Sequence, residues 1–162
     1  MAVGVHKFSL PDELGPDLTR IQAYWNGLKR GANDIPFWDD VKFSLRSRLG
    51  RESMLIDVFE SPIRFRFDLI GADLTDWYGE TIGNRFLDEV ELRAPFDDLI
   101  QQSKTSVEGR APTYYRQAGA GKGDAGHPGG YARLLLPLWG NGRVEMLLGA
   151  VVPNTAARKN AG

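Results

Sequence analysis

The sequence predicts an α+β protein: a five-stranded antiparallel sheet with short helices on one face and a helical extension at the N-terminus. The centre of the sheet is predicted by a hairpin within residues 131–152, where Gly140-Asn141-Gly142 joins two apolar runs. Asn and Gly readily adopt the positive φ angles that a tight reversal needs. A second signal is the strict alternation of residues 63–71. Helical patterns occur only before residue 50 and within residues 72–109, and this grouping favours an α+β fold.

The N-terminal part predicts a lead-in over residues 1–16 and two helices within residues 17–50. The first helix begins near Asp17 and ends at Gly31. Its apolar stripe follows helical spacing and consists of Leu18, Ile21, Trp25 and Leu28. The second helix begins at Asp39 or Asp40 and ends at Gly50. Its basic residues, at positions 42, 46, 48 and 51, are typical of a solvated helix face.

Residues 54–152 predict the core of the domain. Its strands, in chain order, are 54–60, 63–71, 112–118 and the two strands of the 131–152 hairpin. Residues 72–90 predict short helical pieces, and a longer amphipathic helix ends at Gly109, with an apolar face of Phe96, Leu99, Ile100 and Val107. A glycine-rich loop covers residues 119–130. We therefore predict one domain over residues 17–153 and a flexible tail over residues 154–162.

Composition narrows the classes of protein that fit. A chain of 162 residues is typical of a single domain, and its net charge of −1 lacks the basic excess of a nucleic-acid-binding protein. There is no cysteine, which excludes disulfides and thiol chemistry and is typical of a reducing compartment. No signal peptide and no membrane-spanning run are evident, so we expect a cytoplasmic protein without membrane or nucleic-acid partners.

Several segments together resemble one known family. YWNGLKRG, LIDVFE, FRFDLIGADL, YGETIGNRFLDEV and LLLPLWGNGRVEMLLGAVVP are similar to the PAS-like family common in alphaproteobacteria, and they occur in the same order over roughly residues 20–153. The predicted order of elements, with two strands, short helices, a longer helix and three strands, is that of a PAS domain. Asp68 departs from the pattern, because the family usually has Arg there.

The resemblance implies a stand-alone sensory or regulatory domain in bacterial signal transduction, with no catalytic residues and with a protein partner in trans. PAS domains hold haem, flavin, a coumaryl chromophore, small organic acids or nothing. Without cysteine a covalent flavin is not expected, and His6 and His127 are poorly placed for haem or metal. We expect no required cofactor and no metal; a small apolar or organic-acid ligand stays open.

In such a fold the pocket lies between the inner face of the sheet and the helices of residues 72–108. The candidate ligand-binding residues are Phe67, Leu69, Tyr78, Phe86, Phe96, Ile100, Tyr115, Leu136, Met146 and Leu148. The outer face of the hairpin is also apolar, and the first helix is its natural cover, either within one chain or across a two-fold interface; we expect a homodimer stabilised by this helix. The candidate dimer interface comprises Leu18, Ile21, Trp25, Leu28, Leu135 and Leu147.

Two alternatives to a ligand-binding sensor remain. One is a cone-shaped α+β enzyme like ketosteroid isomerase, in which Asp57 or Asp68 acts as a base beside Tyr78 or Tyr114. The other is an interaction adaptor that binds no ligand. A tightly packed core favours the adaptor, because it leaves no room for a small molecule.

Overall fold

The structure is a computed structural model, and it describes residues 7–41, 50–119 and 127–154. The helices are α1 (Pro16–Gly27), α2 (Ala72–Tyr78) and α3 (Leu99–Gly109), with a 3-10 helix at Leu87–Glu89. The strands are β1 (Ser53–Phe59), β2 (Arg64–Ile70), β3 (Thr113–Gln117), β4 (Tyr131–Gly140) and β5 (Arg143–Pro153). The predicted α+β class is confirmed. The structure describes the start of the predicted second helix, where residues 38–41 are helical, and residues 42–49 lie outside the described residues.

The five strands form one antiparallel sheet in the order β2-β1-β5-β4-β3. Its centre is the predicted hairpin: β5 lies in the middle of the sheet and pairs with β4 along its whole length. The turn between them consists of Asn141 at φ 49° and Gly142 at φ 77°. Two successive positive φ angles match the right-handed twist of the strands, which is why Asn-Gly suits this position.

Both edges of the sheet are partly covered by other segments of the chain. On β2, the Phe67 amide donates to the Arg85 carbonyl at 2.9 Å, and the Asn84 amide donates to the Phe67 carbonyl at 2.7 Å. On β3, the Tyr114 amide donates to the Phe8 carbonyl at 2.9 Å. The end of β4 that extends beyond β3 is met by residues 36–37, since the Trp139 amide donates to the Pro36 carbonyl.

The face of the sheet that packs against residues 72–109, here called the inner face, is identified by its contacts. Arg133 on β4 bonds to α3 through Gln102, and Phe67 on β2 lies 5.0 Å, between ring centroids, from Phe96. Leu135 and Leu147 share this face, because side chains alternate along β4 and β5 and paired residues point to the same side.

The opposite face, here called the α1 face, packs against the N-terminal helix. Its hairpin residues are the alternate set, Leu134, Leu136, Leu138, Met146 and Leu148. All are buried, and α1 packs against β4 and β5. The predicted facing put Leu136, Met146 and Leu148 on the inner face and Leu135 and Leu147 under the N-terminal helix; in the structure each set lies on the opposite face.

A bulge in β2 separates two residues that the alternation pattern puts together. Ile56 pairs with Phe67, whereas its neighbour Leu55 pairs with Leu69, so the register skips Asp68. Phe67 therefore lies on the inner face. Leu69 lies on the α1 face, since its partner Leu55 also pairs with Leu148. A single extra residue reverses the facing of everything beyond it.

Helix α1 packs within its own chain. Leu18 is fully buried and Trp25 is 4% exposed, while Ile21 and Leu28 are half-buried. The Trp25 indole N–H donates to the Pro137 carbonyl at 2.8 Å. The six residues predicted as a dimer interface are buried or half-buried within this chain, and Leu135 and Leu147 lie on the inner face, away from α1.

The indole hydrogen bond leads to a stability prediction. Trp25→Phe keeps an aromatic ring under the sheet but leaves the Pro137 carbonyl without its donor, so we expect the free energy of unfolding to fall by about 1–3 kcal/mol. Urea unfolding followed by circular dichroism measures this change. Trp139→Phe is the matched control, because Trp139 is only half-buried and its ring packs under Arg110 at the surface. Equal losses for both variants would contradict the role given to the Trp25 bond.

Candidate functional site

The structure divides the ten predicted pocket residues into separate groups. Phe67, Tyr78 and Phe96 form one aromatic cluster on the inner face, with ring centroids 5.0 Å and 5.5 Å from Phe96. Tyr115 is also on the inner face but lies farther along it, beside Arg133. Four others, Leu69, Leu136, Met146 and Leu148, are on the α1 face. The predicted set is therefore not the lining of one pocket.

The two remaining predicted residues lie outside this cluster. Phe86 bridges to the edge strand β2 and packs against Phe59 at 5.5 Å, with the Arg64 guanidinium 3.9 Å from its ring centroid. Ile100 is half-buried on α3.

The core around Phe96 is filled by aromatic rings in contact, so the part of the inner face near Phe67 and Tyr78 is packed core rather than the predicted cavity.

A residue that the sequence analysis did not single out occupies the middle of the inner face. Arg133 is 0% exposed. Its Nε donates to the Gln102 Oε1 at 2.7 Å, its Nη1 to the Pro95 carbonyl at 3.0 Å and its Nη2 to the Asp97 carbonyl at 2.6 Å. All three acceptors are formally neutral. Burial lowers the pKa of the guanidinium to about 10, so it stays charged near neutral pH.

Aromatic rings complete the surroundings of Arg133. Its guanidinium lies 4.7 Å from the centroid of Tyr115 and 5.9 Å from that of Tyr131. The Tyr131 hydroxyl donates to the Asp97 carboxylate at 2.8 Å and accepts from the Asp97 amide at 3.1 Å. Burial raises the pKa of Tyr131, and the positive charge of Arg133 opposes that rise. The Asp97 carboxylate, which accepts from Tyr131, also favours the charged form of Arg133.

Helix α3 contributes a buried polar side to this cluster. The Gln102 amide nitrogen lies 3.2 Å from the Thr113 hydroxyl and 3.3 Å from the Arg133 carbonyl, and the Ser106 and Thr113 hydroxyls are 2.6 Å apart. Ser103 Oγ is buried with no hydrogen-bond partner among the described residues. The predicted apolar face of this helix is therefore only partly correct. Leu99 is buried as expected, but Ile100 and Val107 are half-buried and Phe96 precedes the helix.

We call Arg133, Gln102, Thr113, Tyr115, Tyr131 and the 95–97 backbone the Arg133 cluster. One sequence signal could have indicated it. Arg133 is the only charged residue of a strand that otherwise reads YALLLPLWG, and a charge inside such a strand needs buried partners. The Gln, Ser and Thr residues of α3 supply some of them, but their spacing alone resembles an ordinary solvated helix face.

The structure also contains a surface pocket next to the Arg133 cluster, here called the Trp77 pocket. It has a volume of about 220 Å3 and lies between α2 and the end of β5. Leu74, Trp77, Val151 and Pro153 form its apolar wall. Trp77 meets the Tyr131 ring edge-on, with centroids 5.4 Å apart and planes at 86°, so the pocket wall and the Arg133 cluster share a contact.

The carboxylates considered for an enzyme are engaged in other contacts. Asp57, on the α1 face, accepts from Arg66 Nη2 at 2.7 Å, so it does not lie with Tyr78 on the inner face. Asp68 sits at the bulge of β2. In the described ranges, no three His, Cys, Asp or Glu side chains are grouped so that they could hold a metal ion.

Comparisons with protein-family models, with curated proteins and with solved structures found no match for this chain. No helix in the described part of the chain has the length and apolar character needed to span a membrane.

Proposed function

We propose that this chain is a stand-alone PAS-like sensory domain that binds a small ligand on the inner-face side of its sheet and signals to a protein partner in trans in the bacterial cytoplasm. The observation that carries the proposal is the fully buried Arg133, whose direct acceptors are all neutral. Burying a cation costs several kcal/mol unless a countercharge compensates. Such a group is more typical of functional sites than of cores selected for stability alone.

The order of elements adds support for the PAS-like part of the proposal. Two strands, short helical pieces, one longer helix and three strands follow one another in the structure. This is the order on which the sequence resemblance rests. The helical middle, residues 72–109, packs on the inner face of the sheet, where such a domain would hold its ligand.

The Arg133 cluster also offers a way to transmit binding. It ties β4 to α3 through Gln102 and to the segment before α3 through the carbonyls of Pro95 and Asp97. A ligand that prefers one arrangement of these hydrogen bonds shifts the population of that arrangement. The position of α3, whose other side is exposed, would then report the ligand to a partner protein.

A ligand screen tests this function. We expect at least one compound in a panel of small organic acids, amines and neutral aromatics to raise the melting temperature. At 100 times its Kd it should stabilise the fold by about 2.7 kcal/mol, or roughly 5–10 °C for a domain of this size. NMR resonances of residues 95–106 and 131–135 should shift with it. Glu108→Gln, at an exposed position of α3, should leave the response unchanged.

The opposite result would favour the ligand-free adaptor. If no compound shifts either the melting temperature or these resonances, the packed rings of Phe67, Tyr78 and Phe96 describe the whole inner face, and the ligand-sensing proposal is wrong.

A further inference from the structure

From the geometry of the Trp77 pocket we infer that the ligand of this domain is a small organic cation with an apolar body, such as an arylalkyl or alkyl amine. The inference rests on the proposed sensory function and names the class of molecule sensed. Three independent features of the pocket carry it: its apolar wall, the charge of its rim and the position of its indole.

The apolar wall sets the size and character of the ligand body. Leu74 and Trp77 come from α2, and Val151 and Pro153 come from the end of β5. A volume of about 220 Å3 is below the range of roughly 300–1,000 Å3 that is typical of drug-sized ligands. The pocket therefore suits a compact group, such as a single aromatic ring or a short alkyl chain.

The rim sets the charge. Glu52, Asp73 and Asp76 contribute to the pocket lining, as does His127. Arg51 Nε pairs with Asp73 at 2.8 Å, at an exposed position. Within the described ranges, neither Glu52 nor Asp76 forms a salt bridge, and the carboxylates of both line the pocket. An anion would meet these same carboxylates and be repelled.

The indole of Trp77 links the pocket to the Arg133 cluster. Its edge-on contact with Tyr131 holds the indole beside that ring, and Trp77 itself is half-buried and lines the pocket. Indole faces attract ammonium groups more strongly than other aromatic side chains do. A cation bound here would contact Trp77, and a shift of Trp77 would displace the Tyr131 ring that it touches. The Tyr131 hydroxyl donates to Asp97, which lies beside Arg133.

Three compounds of similar shape and different charge test the inference: 2-phenylethylamine, 2-phenylethanol and 3-phenylpropionate. Each is titrated into the 15N-labelled protein, and the indole N–H signals of the four tryptophans are followed by NMR. Trp77→Phe assigns the Trp77 signal. We expect the amine to move this signal at concentrations about tenfold lower than the alcohol requires, and the propionate to leave it in place.

The rim carboxylates provide the second readout. Asp76→Asn and Glu52→Gln should each weaken binding of 2-phenylethylamine by about three- to fivefold and leave the alcohol unaffected. Glu108→Gln, an exposed acid on α3 outside this pocket, is the matched control and should change neither. Raising the salt concentration should weaken the amine only, because screening acts on the charged contact.

The outcomes separate this inference from the proposed function. If the amine binds no better than the alcohol, or if both rim variants bind it as the wild type does, the cation assignment is wrong. If the propionate or another compound of the panel instead shifts residues 95–106 and 131–135, the sensory function stands and its ligand is of another class. If no compound of any class binds, both proposals fail.

Discussion

Replacing Arg133 with methionine is expected to lower the free energy of unfolding by about 3–5 kcal/mol. Methionine fills much of the volume of the arginine stem but donates no hydrogen bond. The Gln102 Oε1 and the carbonyls of Pro95 and Asp97 would remain buried without their donors. Each buried acceptor that loses its partner costs about 1–3 kcal/mol, so the combined loss should exceed that of an ordinary core substitution.

The loss is measured by urea unfolding at neutral pH, with Arg116→Met as the control. Arg116 is exposed on β3, and its replacement should change the free energy of unfolding by less than about 0.5 kcal/mol. The double variant Arg133→Met with Gln102→Leu should recover part of the lost free energy of unfolding. It lacks both the Arg133 donor and the Gln102 acceptor, so one fewer buried acceptor is left without a partner. An Arg133→Met protein as stable as the wild type would show that the cluster is not a structural requirement.

Replacing Gly71 with alanine is the second change from which we expect a large effect. Gly71 precedes α2, and a Cβ built there would lie 2.4 Å from the Arg51 carbonyl oxygen and 2.5 Å from that of Gly50. Both are backbone atoms that a rotamer change cannot move. The Gly71 amide also donates to the Ser53 carbonyl at 2.7 Å, which fixes the start of α2 against β1. We expect a loss of about 3 kcal/mol in the free energy of unfolding.

Gly27→Ala makes the same chemical change in open space and serves as the control. Nothing lies within 4 Å of a Cβ at Gly27, which is the last residue of α1. Alanine should stabilise the protein there by up to about 1 kcal/mol, since glycine is the weaker helix former. Melting temperatures of the two variants should therefore move in opposite directions. A Gly71→Ala protein with the same melting temperature as the wild type would show that the backbone of residues 50–51 shifts at little cost in free energy.

The sheet could be predicted from sequence because its signals are local. The Asn141-Gly142 turn sets the centre of the hairpin, and alternation marks β2. Which side of the hairpin faces the helices of residues 72–109 could not be predicted. Both sides are apolar, so the alternation does not distinguish one face of the sheet from the other. The bulge at Asp68 added a second error, since it moves Leu69 away from the face of Phe67. Register is decided by pairing with distant strands, which a local pattern does not contain.

The candidate site was harder to predict for a different reason. Apolar and aromatic patterns predict Phe67, Tyr78 and Phe96 as pocket residues, and the structure brings these three together. Arg133 was not predicted, and its neighbours come from α3, from the segment before α3 and from β3. Two of the three acceptors of its guanidinium are backbone carbonyls, and every residue has a carbonyl, so the amino-acid pattern does not indicate which ones will be acceptors.

The covered edges of the sheet restrict how a partner protein can be recognised. An incoming strand would have to displace residues 84–86 from β2, or Phe8 from β3, before it could extend the sheet. Main-chain pairing of that kind accepts many sequences, whereas contacts between side chains discriminate among them. A partner of this domain should therefore be selected by the identity of its surface residues, so closely related partners could be told apart by a few substitutions.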